Sequence, residues 1–102
     1  MKSIKTVPKP LEEIIRKIKP TLRKYHIRKA GLFGSYVRGE QKKGSDVDIL
    51  VDIKDKKISL FGFIHIKHEL EDAIRKKIDL VEYKMIRPEL KKAILKEEVR
   101  II

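Results

Sequence analysis

The stretch "LFGSYVRGEQKKGSDVDILV", Leu32 to Val51, decides how this chain folds. Its second half opens the strongest strand signal in the sequence, "DVDILVDI", residues 46–53. Side chains alternate across a strand, so Asp46, Asp48 and Leu50 are expected on one face and Val47, Ile49 and Val51 on the other. Two carboxylates at this spacing stand roughly 6.5–7 Å apart at the backbone. Unaccompanied, they repel, and one is driven to keep its proton. A divalent cation removes that cost. Magnesium takes oxygen ligands, commonly one or two carboxylates plus the phosphates of a substrate. The first half of the stretch supplies a place for those phosphates. "IRKAGLFGS" reads as a short strand ending at Gly34, followed by a helical turn and a loop rich in Gly and Lys. Glycine permits close backbone approach, the start of a helix presents free N–H groups, and Ser35 adds a hydroxyl donor.

Outward from this stretch, apolar periodicity marks the remaining elements. Leu11, Ile14, Ile15, Ile18 and Leu22 form one stripe of an amphipathic helix from Leu11 to Tyr25, with Pro10 in its first turn. Pro20 is expected to kink or end that helix near Lys19, and His26 to close it. Phe63, Ile66, Leu70, Ala73 and Ile74 give helical spacing from Ser59 to Lys77, with Ser59 as N-cap and Gly62 weakening the first turn. "KIDLVEY" is a third strand. "RPELKKAILKEE" is a last helix with Leu90, Ala93 and Ile94 on one face, and "VRII" a short extended tail. Strands alternating with helices argue for an α/β or α+β sheet with helices packed on it.

Asp79 lies in the third strand, where a carboxylate needs a reason. If that strand adjoins the one carrying Asp46 and Asp48, three acids meet at one edge. That is the inventory for phosphoryl or nucleotidyl transfer with two metal ions. Asp79 could also take the proton of an attacking hydroxyl. By itself the Asp-Val-Asp string also fits a polar strand entry, and Asp79 a turn residue. A phosphate-binding turn at the end of the preceding strand favours the metal-nucleotide reading. Ser45 is expected to cap the loop before the acids. His65, His68 and Asp72 have spacing for a metal on one helix face, but solvated histidines are the commoner outcome.

The chain has 102 residues, enough for one small domain, with residues 1–9 read as a loose basic arm. There is no cysteine, hence no disulfide and no thiolate zinc site. No apolar run reaches the roughly 20 residues of a membrane span, and the N-terminus lacks the apolar core of a secretory signal. A cytoplasmic location suits these features. Twenty-six basic against 15 acidic side chains give a net charge of +11, a field that attracts nucleotides, RNA or an acidic partner. Three Tyr and three Phe, most at core positions, offer no stacking platform for RNA bases. The heavy use of Lys, Glu and Ile without Cys is the pattern of a thermophile.

Gly34-Ser35, ten residues, then Asp46-Val-Asp48, with "KIDLVEY" downstream, resembles the motif set of the DNA polymerase β-like nucleotidyltransferase superfamily. The fuller string looks like its minimal nucleotidyltransferase branch, which contains the antitoxins of HEPN/MNT toxin–antitoxin pairs. The resemblance runs from about Leu11 to Ile102. It implies a single minimal nucleotidyltransferase domain with a small mixed sheet. It implies Mg2+ on Asp46, Asp48 and Asp79, ATP phosphates on Gly34 and Ser35, and a phosphate contact for Arg38, whose other reading is an ordinary surface arginine. It also implies transfer of AMP from ATP to a tyrosine of a partner HEPN ribonuclease, silencing it. Two other functions stay open: masking of the toxin by binding alone, and nucleotidyl transfer to RNA.

Overall fold

In the computed structural model, which describes residues 8–55 and 57–102, four strands form one sheet in the order β3-β2-β1-β4. They are β1 (Lys29–Phe33), β2 (Val47–Asp52), β3 (Ile78–Glu82) and β4 (Val99–Arg100). β1 runs antiparallel to β2 and to β4, whereas β2 and β3 are parallel. A parallel pair needs a long crossover, and helix α3 (Leu60–Ile74) supplies it. This is the small mixed α/β sheet that the element order and the family resemblance implied. The expected extended tail is β4, paired to Gly31 and Leu32 of β1.

Alternation along the strands sorts the sheet into two faces. On one, Ala30, Leu32, Val47, Ile49, Val51, Ile78, Leu80 and Val99 are buried. They pack with Leu11, Ile14, Ile15, Ile18 and Leu22 of α1 (Lys9–Lys24) and with Ile66, Leu70 and Ile74 of α3. Each such side chain stabilises the fold by about 1.5–3 kcal/mol relative to an exposed one. Ser59 caps α3 by accepting the Gly62 N–H at 3.2 Å. The helix stops at Arg75, which adopts the left-handed conformation, φ 57°, three residues before β3.

α1 does not break at Pro20, contrary to the sequence expectation; it continues to Lys24. An interior proline costs about 3 kcal/mol through a lost hydrogen bond and a steric clash. Pro20 is exposed, so the carbonyl left without a partner lies on the hydrated side. Ile18 before it and Leu22 after it are fully buried, and two such side chains outweigh the penalty. The helix ends instead at Tyr25, with His26 at φ 56°. Of the proposed basic arm, residues 1–7 lie outside the described residues, and Lys9 is already the first residue of α1.

The second face carries Gly31, Phe33, Asp48, Leu50, Asp52, Asp79 and Val81. Its cover is thinner: a 3-10 turn (Tyr83–Met85), buried Ile86, and the end of α4 (Pro88–Glu97). Glu98 lies directly over Gly31, in the space a Cβ there would fill. The Tyr83 hydroxyl donates to Glu98, Arg100 Nε stands 4.0 Å away, and Lys29 Nζ sits 4.4 Å from the Tyr83 ring centre. Burial, then the bond to Glu98, raises the Tyr83 hydroxyl well above its ordinary range.

Candidate active site

The site is built where β1 stops. After Phe33 the chain turns at Gly34, with φ 82° and ψ −156°, a conformation that L side chains rarely adopt. Space makes the same demand: the Asp48 carboxylate occupies the position of a Cβ at residue 34. A one-turn helix, α2 (Ser35–Arg38), follows, and its carbonyl anchor is Gly34, which accepts the N–H groups of Val37 and Arg38. Tyr36 and Val37 are buried in the core, so the turn is held by packing while Ser35 stays partly accessible. Arg38 projects from the end of α2 and is exposed.

Phe33 pairs with Asp48, and Asp48 pairs with Asp79 across the parallel β2/β3 ladder. Register partners point to the same face, with strands about 4.8 Å apart. The third acid is therefore beside the second, as the sequence reading required. Asp46 departs from expectation: it precedes β2 rather than lying on it, so strand alternation does not set its direction. The reason is that β1 ends opposite Asp48 and β3 begins opposite Val47, so neither neighbouring strand reaches Asp46. Ser45 caps the loop, its Oγ accepting the Lys42 N–H at 2.8 Å.

Electrostatics tie the acids together. Burial above all, then Asp79 and Asp46, push the Asp48 carboxyl up to about 6 from an ordinary 3.8. Arg38 opposes the rise, and Glu97 adds to it. Asp48 thus stands in an excess of negative charge that a cation would relieve. The donor set is carboxylate oxygen throughout, which suits magnesium. Among the described residues, no three acidic, imidazole or thiolate side chains can by themselves hold a metal ion. Magnesium does not require that, because substrate phosphates and water commonly complete its shell. His65, His68 and Asp72 are exposed on α3, and the His65 ring packs edge-on against Tyr25, with ring centres 6.3 Å apart.

Glu97 was not marked in the sequence. From the last turn of α4 its Oε1 accepts the Gly34 N–H at 2.8 Å, and both its oxygens lie 3.1 Å from Arg38 Nη1. Arg38 Nε also donates to Glu40 at 2.9 Å. A signal was available: Glu97 and Glu98 stand at a helix C-terminus, where the helix dipole disfavours acids. Two such residues in a run of lysines call for partners elsewhere. A cavity of about 830 Å3 between α1 and residues 41–43 holds none of Asp46, Asp48 and Asp79; its lining mixes basic side chains such as Lys17 and Lys42 with Glu12 and Glu13.

Residues 16–102 match the family described as polymerase beta, nucleotidyltransferase. A Methanocaldococcus jannaschii protein with the provisional name protein adenylyltransferase is 45% identical over 92 residues, covering 90% of this chain and 98% of the relative. The protein adenylyltransferase MntA of Thermococcus cleftensis is 40% identical over 92 residues, 89% of this chain and 92% of that one. Among solved structures, a toxin–antitoxin crystal structure with AMP-PNP superposes with a TM-score of 0.74 at 26% identity, covering 86% of this chain and 72% of that one. With Gly34-Ser35, Asp48 and Asp79 assembled at one sheet edge, the chain belongs to the polymerase beta nucleotidyltransferase family.

Proposed function

We propose that this chain is a magnesium-dependent protein adenylyltransferase that transfers AMP from ATP to a tyrosine of a cognate HEPN ribonuclease toxin and thereby neutralises it. The observation that carries the reading is the packing of Asp48 against Gly34 on one side and its register with Asp79 on the other. Relatives named protein adenylyltransferases and the likeness to a toxin–antitoxin structure with AMP-PNP support the choice of nucleotide and acceptor class.

In this reading Asp46, Asp48 and Asp79 would hold Mg2+, which when bound would supply charge neutralisation for the phosphates and the pyrophosphate. The Gly34-Ser35 turn and Arg38 orient the triphosphate so that the α-phosphorus faces the incoming hydroxyl. The tyrosine oxygen forms the new bond to that phosphorus as the bond to pyrophosphate breaks. The hydroxyl proton passes to a carboxylate, and Asp79, which is exposed, either completes the metal set or takes this proton.

A second reading, neutralisation by binding alone, draws on the apolar surface at the start of α3. Phe61 is 84% exposed and Leu60 71%, with Met85 nearby on the same cavity as Leu60. Exposed apolar patches of this sort mark interaction surfaces. Labelled ATP, magnesium and a candidate HEPN ribonuclease partner decide between the two. Label on the toxin, lost with Asp48→Asn, supports transfer. Full inhibition of the ribonuclease without ATP, unchanged by replacing both Asp46 and Asp48, supports masking.

A further inference from the structure

Glu97 does what a phosphate group would do in this site. It takes the Gly34 N–H at 2.8 Å and sets both oxygens 3.1 Å from Arg38 Nη1. These are two of the donors assigned above to the nucleotide. The carboxylate is held there although the cleft already contains Asp46, Asp48 and Asp79, and like charges in one site repel. Nothing in the core requires it. α4 has no fully buried side chain, and at its C-terminal end Glu97 and the following Glu98 touch β1 and the Gly34 turn. Glu97 can therefore withdraw without opening the packed face of the sheet, while Glu98 keeps its own partner, Tyr83.

We infer that Glu97 is an internal competitor of the nucleotide: it occupies the Gly34 N–H and Arg38 while the site is without ligand and yields them to the phosphates of Mg-ATP. The inference rests on the reading of this cleft as a nucleotide site. Its consequence is a binding threshold. If the two donors are free for about one tenth of the time, apparent affinity is about tenfold weaker than intrinsic affinity. A second consequence is coupling, because departure of Glu97 releases the end of α4 next to β4.

Calorimetric titration of the full chain with Mg-ATP tests this, comparing the parent with Glu97→Gln and Asp48→Asn. Glu97→Gln keeps an acceptor of the same shape and removes the charge, so Mg-ATP should bind roughly tenfold tighter. If Glu97→Gln binds equally well or more weakly while Asp48→Asn loses affinity, the nucleotide site stands and the competitor role is overturned. Glu97 would then be a brace for Arg38. If neither the parent nor Glu97→Gln binds Mg-ATP, or if Asp48→Asn leaves binding unchanged, the site reading fails and takes this inference with it. Amide NMR of the parent guards against a folding defect in the variant. Mg-ATP should shift Gly34 together with residues 97–100, and a response at Gly34 with none at 97–100 overturns the proposal.

Discussion

The two faces of the sheet are built on opposite terms. One is apolar from edge to edge and closed by α1 and α3. The other interleaves Asp48, Asp52 and Asp79 with Leu50 and Val81, and closes over Gly31 with a glutamate. The same strand, β2, serves both: Ile49 is fully buried on the first and Asp48 is half-buried on the second. The contrast separates stability from chemistry by one residue position. Stability comes from alternate residues whose removal leaves a cavity. Among the residues between them are carboxylates whose charges oppose one another, and in the proposed function these carry the chemistry.

The widest break between the faces is expected from Asp48→Asn. Loss of a charged metal ligand should reduce adenylyl transfer by on the order of 100-fold or more. The melting temperature should hold or rise, because a like charge has gone. A fall in melting temperature matching the loss of activity would erase the distinction between the faces. The converse change is Ile49→Ala, which should cost about 2–5 kcal/mol in a denaturant titration. At a temperature where the variant remains folded, its rate per folded molecule should stay near the parent's.

Glu98 sharpens the comparison, since it lies on the polar face yet acts structurally. Glu98→Ala strips the half-buried Tyr83 hydroxyl of its acceptor, and about 1 kcal/mol of stability should go with it. An unchanged unfolding midpoint would show that the second face is not held by this pair. The smallest effect is a pH dependence. The folded protein keeps the Asp48 proton to about 6, while the unfolded chain releases it near 3.8. The contribution of Asp48 to the stability of the magnesium-free protein should therefore be full below about pH 4, decline as pH rises through 6, and be lost above it. Asp48→Asn should flatten that decline, and so should magnesium, which takes the place of the proton. Melting curves from pH 4 to 7, with and without a chelator, measure both.

Much of this arrangement is legible in the residues themselves. The strand expected over 46–53 is present as Val47–Asp52, and the stripes of α1 and α3, the Ser59 cap and the closure of α1 at His26 are present as expected. So were the mixed sheet and the meeting of Asp48 with Asp79. Two expectations failed for the same reason. Pro20 was read by its local backbone cost, and burial of Ile18 and Leu22 overrides it. Asp46 was read by alternation, but a strand extends only as far as its partners do: β1 ends opposite Asp48 and β3 begins opposite Val47. α4 shows the limit from the other side: among the described residues its apolar face is mostly exposed, with Leu90 and Ala93 open and only Ile94 half-buried, while the acid at its end reaches Gly34.

From the sequence alone came each segment's own geometry: which residues share a face, where glycine is needed for a turn, and which acids stand close along the chain. These follow from the sterics of one segment and its period. Only the tertiary structure decided which strands adjoin, where β2 begins, and that Glu97 crosses 63 residues to reach Gly34. Contacts of that kind depend on burying whole faces against one another, a balance summed over the entire chain that no single segment carries.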